Sequence, residues 1–353
     1  MRQLLDIDEV SRQTGLEESL IRFYESEYPE ALPEKIFRGD SLFFDPGCVE
    51  IFKEIHAARQ GDNKGDGKRY GRVIAVTSGK GGVGKSNITL NIAIELQQLG
   101  RMSIALDGDM GLANLHLLSG IETDYDLSDF LAGRATIEQL ITPGPEGIGI
   151  ISGGGGILDL ADSSQADRSR LISSLTAVEE EADIVLVDTG AGMSAGVRDF
   201  LRAADEVIFV LTQDITSLAD AYALLKAVVQ EGDVPARLYS VVNMALTVKE
   251  AAEIAVRFSR CAEEFLGQKV ESIGYILRDH TVARAVSART PYGVMKPAAR
   301  VSRNTRNIAV HLIKKELSGA LETSAFLRFK AMVDKKLEYG LGSTPPSAPD
   351  QSV

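Results

Sequence analysis

The stretch Gly79-Lys80-Gly81-Gly82-Val83-Gly84-Lys85-Ser86 satisfies the pattern G-x-x-x-x-G-K-[ST]. It follows the apolar run VIAVTS (73–78) and precedes NITLNIAIELQQLG (87–100), so its context predicts a strand, a glycine-rich turn and a helix. The glycines let backbone N–H groups close around a β-phosphate, and the helix N-terminus favours the anion. Lys85 is expected to reach the β/γ oxygens and Ser86 to ligate Mg²⁺. Gly79, Lys80, Gly81, Gly82, Val83, Gly84, Lys85, Ser86 and Asn87 are therefore the candidate residues for ATP or ADP. Lys80 is a second lysine inside the loop, and by itself reads as a solvated surface charge.

Around this motif, short β-branched apolar runs alternate with helical patterns. They are Arg72–Thr77, Ser103–Asp107, Ile148–Ser152, Asp183–Asp188, Glu206–Thr212, Leu238–Asn243 and Val270–Ile276. Runs apolar on both faces and separated by helices indicate a doubly wound, mainly parallel α/β sheet of the P-loop NTPase kind. Asp107 and Asp109 close the second run, expected beside the phosphate-loop strand, where such a sheet places its ligand. Asp109 is the candidate to orient an attacking water and Asp107 to support the magnesium shell. The alternative is that the pair only caps a turn and a helix. The run Asp183–Asp188 has the Walker B form, with Asp188 expected to hold Mg²⁺ through water. Thr189-Gly190-Ala191-Gly192 would then line the γ-phosphate. Asn243 ends its run, either to pair with the adenine edge or simply to terminate a strand. Gly153–Gly156 read as a flexible turn.

The chain has 353 residues, 44% hydrophobic and 25% charged, a balance that excludes disordered, collagenous and disulfide-scaffold classes. Cys48 and Cys261 stand far apart without companions at metal-ligand spacing, which removes zinc and iron–sulfur sites. No apolar run spans a bilayer and MRQLLDIDEV is not a signal peptide, so a cytoplasmic protein is expected. The formal charge of −12 opposes non-specific nucleic-acid binding by the whole molecule. Arg278 to Lys315, however, holds nine bases and one acid.

The charged, glycine-rich residues 61–71 read as a linker. Before it, residues 1–60 read as a small winged helix-turn-helix-like domain. Helices are expected at Ile7–Thr14 and near Glu17–Ser26, an extended hairpin around Ile36–Phe44, and a helix at Asp45–Arg59. The large domain runs over 72–318. An amphipathic helix is expected over 319–342, its stripe of Leu321, Phe326, Phe329, Val333 and Leu337 suiting either a membrane surface or its own domain. Residues 343–353 read as a disordered tail.

The loop GKGGVGKS resembles the deviant Walker A of the MinD/ParA class. The runs GDMGLANLHLLSGI (108–121), VDTGAGMSAGVRDFLRAADEVIFVLTQDITSLADAYALLK (187–226), VVNM (241–244) and GYILRDHTVARAV (274–286) are similar to its flagellar-number regulators of the FlhG/FleN type. The resemblance implies an ATPase that dimerises with ATP, Lys80 reaching the partner subunit's phosphates in the manner of an arginine finger. It also implies a flagellar regulator or assembly factor as target, and a peripheral position on the inner face of the cytoplasmic membrane. IDEVSRQTGLEESLIRFYE (7–25) and FFDPGCVEIFKEI (43–55) resemble a MerR-like module. The expected recognition helix opens with Glu17 and Glu18, and residues 1–60 carry 13 acids and seven bases, so protein is the expected ligand rather than DNA. Two other readings stand beside the leading one: a ParA-like partition ATPase binding DNA non-specifically through Arg278–Lys315, and an ATP-gated transcriptional regulator.

Overall fold

The computed structural model describes residues 4–16, 18, 21–22, 36–38, 41–53, 70–108, 114–154, 174–232, 234, 237–314, 325–326 and 328. In the N-terminal unit, Asp6 accepts the Glu9 N–H at 2.8 Å to cap α1 (Ile7–Thr14), and Gly15 ends it at a φ of 75°. Strands β1 (Ile36–Arg38) and β2 (Ser41–Phe43) pair antiparallel, Leu5 bridges Phe44, and residues 48–53 are helical. Val10, Leu16, Ile21, Phe44, Cys48 and Phe52 are buried, and burial raises the Cys48 thiol to about 11. Most of the expected helix near Glu17–Ser26, the turn at 39–40 and residues 54–69 lie outside the described residues.

The large domain is built on eight strands: β3 (Arg72–Thr77), β4 (Ser103–Gly108), β5 (Thr142–Pro143), β6 (Gly149–Ile151), β7 (Ile184–Thr189), β8 (Glu206–Leu211), β9 (Arg237–Ala245) and β10 (Val270–Leu277). Their order is β10-β9-β8-β3-β7-β4-β6-β5, and every pairing is parallel except that of β5 with β6. All seven expected runs are strands. The expectation that the Asp107 strand lies beside the phosphate-loop strand is corrected: β7 intervenes, pairing with β3 on one side and β4 on the other.

Among the described residues, the helices that cover this sheet include α2 (Lys85–Gln98), α3 (Leu115–Ser119), α4 (Ala195–Ala203), α5 (Ile215–Glu231), α6 (Val248–Leu266), α7 (His280–Ser287) and α8 (Arg300–Lys314). The period-two alternation of the strands divides the core. Val73, Val185, Val187, Val207 and Phe209 meet Phe200 of α4, Leu225 of α5 and Phe258 of α6. Ile74, Val76, Leu186, Ile208 and Val210 face the opposite side, toward Ile92 of α2 and Ile308 of α8. Strands apolar on both faces are stable only when both are covered, and here both are.

At the N-terminal end of the strands, Arg72 binds both carboxylate oxygens of Glu206, at 2.8 and 2.7 Å, and donates to the Leu312 carbonyl. The pair is almost fully buried; desolvation pushes the Glu206 carboxyl up while Arg72 opposes the shift. Removing one partner leaves the other charge buried and uncompensated. Glu206→Ala is therefore expected to destabilise the domain by about 3–5 kcal/mol in urea denaturation.

Two stretches expected outside the large domain pack on it. Gly71 is one, because it donates to the Glu179 carbonyl and a Cβ on it would lie 2.1 Å from the Ala182 carbonyl. Residues beyond 318 are the other. Glu179 accepts the Ala325 and Phe326 N–H groups, Arg328 pairs with Asp205, and Phe326 stacks edge-on against Phe200 at 6.5 Å. Phe326 is 1% exposed, so this member of the amphipathic stripe faces its own core; the stripe's other members and the tail lie outside the described residues. Gly153 is not a loose turn either, since a Cβ there would meet the Asp107 carbonyl at 2.2 Å.

Candidate phosphate-binding site

The loop from Gly79 to Ser86 joins β3 to α2 at the carboxyl end of the sheet. Gly82 and Gly84 have φ of 77° and 91°, a region that L side chains rarely enter. Gly84 is also the N-cap of α2, and no side chain caps the helix there. The first N–H groups of α2 thus face the loop without a side-chain acceptor, the arrangement that binds an anion. Lys85 is the first residue of α2 and is buried; Ser86 and Asn87 follow on the same turn. The missing side chain of Gly79 answers to packing. A Cβ on it would lie 2.2 Å from the Asp220 backbone, so α5 approaches the loop here only because this residue is glycine.

Asp188 and Asp107 stand opposite each other in the β7–β4 register. The Asp188 Oδ1 lies 3.4 Å from the Thr89 hydroxyl on α2. The hydroxyl of Ser86 and the carboxylates of Asp188 and Asp107 are hard oxygen donors of the kind Mg²⁺ takes. Among the described residues no cluster of three or more His, Cys, Asp or Glu gathers. One oxygen of Asp107, Oδ2, also accepts the Asn114 and Leu115 N–H groups at 2.7 and 3.0 Å. Asp107 therefore clamps the far end of the segment that carries Asp109, which itself lies outside the described residues.

The small-residue loop after Asp188 is tied to the phosphate loop. Thr189 donates to the Val76 carbonyl at 3.1 Å and lies 3.0 Å from the Thr77 hydroxyl, while Gly192 donates to the Ser78 carbonyl. Lys80 points away from its own loop. Its Nζ lies 2.5 Å from Asp214 Oδ2 and 2.9 Å from the Thr216 hydroxyl, at the N-terminus of α5. The hydrogen bond from Lys80 and those from Thr216 hold the Asp214 carboxyl down at about 2. A carboxyl with a depressed folded value stabilises the contact at any pH above its ordinary range, and that contribution is lost only as pH falls toward 2. In the sequence Asp214 carries only the signal of a helix cap, in the run TQDITS (212–217).

Asn243 is buried, and its Nδ2 donates to the Val83 carbonyl at 2.7 Å. The amide expected at the adenine edge thus has a contact inside the phosphate loop.

An AAA-domain family profile matches residues 71–234. The antiactivator FleN of Pseudomonas aeruginosa is 33% identical over 231 residues, which cover 65% of this chain and 82% of FleN. The chain belongs to the MinD/ParA family of P-loop ATPases. The flagellum site-determining protein YlxH of Helicobacter pylori is 34% identical over 269 residues, 74% of this chain and 87% of that protein. The septum site-determining protein MinD of Pyrococcus horikoshii, solved with Mg-ADP, superposes with a TM-score of 0.55 at 24% identity over 67% of this chain and 94% of that one. That last likeness establishes the shared fold. As a MinD/ParA ATPase, the chain carries its glycine-rich loop between β3 and α2.

Proposed function

We propose that this protein is an ATP-dependent dimerising switch that sets the number or placement of flagella by acting on a flagellar regulator or assembly factor. The observation that carries the reading is Lys80, a cation in the phosphate loop that turns outward to a half-exposed carboxylate. Similarity to FleN and to a flagellum site-determining protein supports the biological role.

In this reading the N–H groups of Gly79–Ser86 and of the first turn of α2 hold the β-phosphate, and Lys85 bridges β and γ oxygens. Ser86 and Asp188 would hold a magnesium ion, with Asp107 behind them, and the bound ion would supply positive charge against the phosphates. Asp109 orients the attacking water, and the partner's lysine, equivalent to Lys80, stabilises the transition state from across the dimer. The 189–192 loop, bonded to Ser78 and Thr77, is placed to respond when the γ-phosphate leaves. The N-terminal unit, acidic overall, serves as a protein-binding module, and the protein works in the cytoplasm and at the inner face of the membrane. Among the described residues no helix is long and apolar enough to cross a bilayer.

Asp109→Ala tests the scheme. It should keep Mg-ATP binding, lose about 100-fold in turnover, and accumulate as a dimer of doubled mass in light scattering. A monomer under saturating Mg-ATP would sink the dimer reading.

A second reading, non-specific binding to the DNA backbone, is favoured by one observation. Arg278, Arg284, Arg289, Lys296, Arg300 and Arg303 are all exposed, and none makes an ion pair with a described acid. Duplex binding with a steep loss on adding salt would support it.

A further inference from the structure

We propose that Asn243 is a positioning residue for the phosphate loop: by holding the Val83 carbonyl it sets the direction of the Gly84 N–H. The inference rests on the P-loop reading of Gly79–Ser86 and assigns a role to a side chain outside that motif.

The two ends of the contact are fixed independently. Asn243 lies near the carboxyl end of β9, between Val242, paired with Leu211 and Tyr275, and Ala245, paired with Leu277. Ala245 is anchored again by the Arg278 N–H, at 2.8 Å. Between them Met244 adopts a φ of 59°, a left-handed conformation that costs a non-glycine residue energy. On the loop side, Val83 and Asn243 are both buried, and their contact joins residues 160 positions apart. A Cβ on Gly84 would stand 2.5 Å from Asn243 Nδ2, so glycine there admits the amide as well as the left-handed backbone.

The consequence follows from peptide geometry. Every described peptide is trans, so the carbonyl of Val83 and the N–H of Gly84 point in opposite directions from one planar unit. Pinning the carbonyl toward β9 turns the N–H away from β9 without further cost. An anion nest depends on that orientation, because a loop peptide that flips presents an oxygen to the phosphate where a donor is needed. Without the amide, the buried Val83 carbonyl also loses its hydrogen bond.

This role differs from adenine recognition in what it acts on. A base-reading side chain affects only ligands that carry a base, whereas a loop brace affects any ligand that carries the phosphates. The experiment is a binding titration of the full chain and of its Asn243→Ala and Asn243→Asp variants with Mg-ATP, Mg-GTP and Mg-tripolyphosphate. Lys85→Ala serves as the loop control. Asn243→Ala should raise Kd for all three by a common factor of about ten. Asn243→Asp should do worse at pH 7.5, since a carboxylate faces the carbonyl. Relative to wild type, its tripolyphosphate affinity should then recover toward pH 5, where a protonated carboxyl donates again.

A loss confined to ATP would assign Asn243 to the base and overturn the proposal. So would an Asn243→Asp deficit that stays flat with pH, a measurement that stands even if the alanine variant fails to fold. Wild-type protein that binds no tripolyphosphate, or a Lys85→Ala variant that binds it normally, would remove the P-loop reading itself.

Discussion

Lys80→Ala is expected to leave Mg-ATP affinity within about threefold of wild type and to lower turnover about 1000-fold, the scale of an arginine finger. The two effects separate because Lys80 makes no contact in the ground-state loop: its ammonium is bonded to Asp214 and Thr216 on α5. An exposed pair of this kind is weak and screened, so the charge of a partner's nucleotide can draw the lysine away. A group that acts only in the transition state lowers kcat without raising Kd. Mixing the Lys80→Ala and Asp109→Ala proteins provides the sharper measurement. Each is inactive alone, but in a mixed dimer the site with an intact Asp109 faces an intact lysine, and hydrolysis should return toward half of wild type or less. No recovery on mixing, or near-normal turnover by Lys80→Ala alone, would place the lysine outside the reaction.

Lys85→Ala should raise the Kd for Mg-ATP and Mg-ADP by at least about 100-fold, measured by calorimetry, with the dimer lost as a consequence. Lys85 is buried at the first position of α2, beside N–H groups that no side chain caps. Its charge and those donors act on one phosphate group in the ground state, so the loss appears in binding before it appears in rate. Retained ADP affinity would contradict the assignment.

The phosphate loop is local: its glycine positions, lysine and hydroxyl act within one turn, so spacing alone identifies it. Seven of the eight described sheet strands are equally legible, because runs apolar on both faces have few other uses. The likeness to MinD/ParA ATPases came from contiguous motifs for the same reason.

What the sequence left open depends on contacts between distant positions. Strand order is one such case: β7 separates β3 from β4, a choice made by helix crossover and sheet packing, and it sets Asp107 opposite Asp188. Gly79 reads as a phosphate residue, yet its lack of a side chain is required by α5, which arrives from residue 220. Asn243 reads as a base contact, and in the fold its amide reaches the Val83 carbonyl. Phe326 sits in a stripe that suits lipid as well as protein, and only Phe200 and Glu179, brought beside it by the folded sheet, decide for protein. Local pattern determines which elements form and which loop can grip a phosphate; long-range packing determines which side chains remain to act on it.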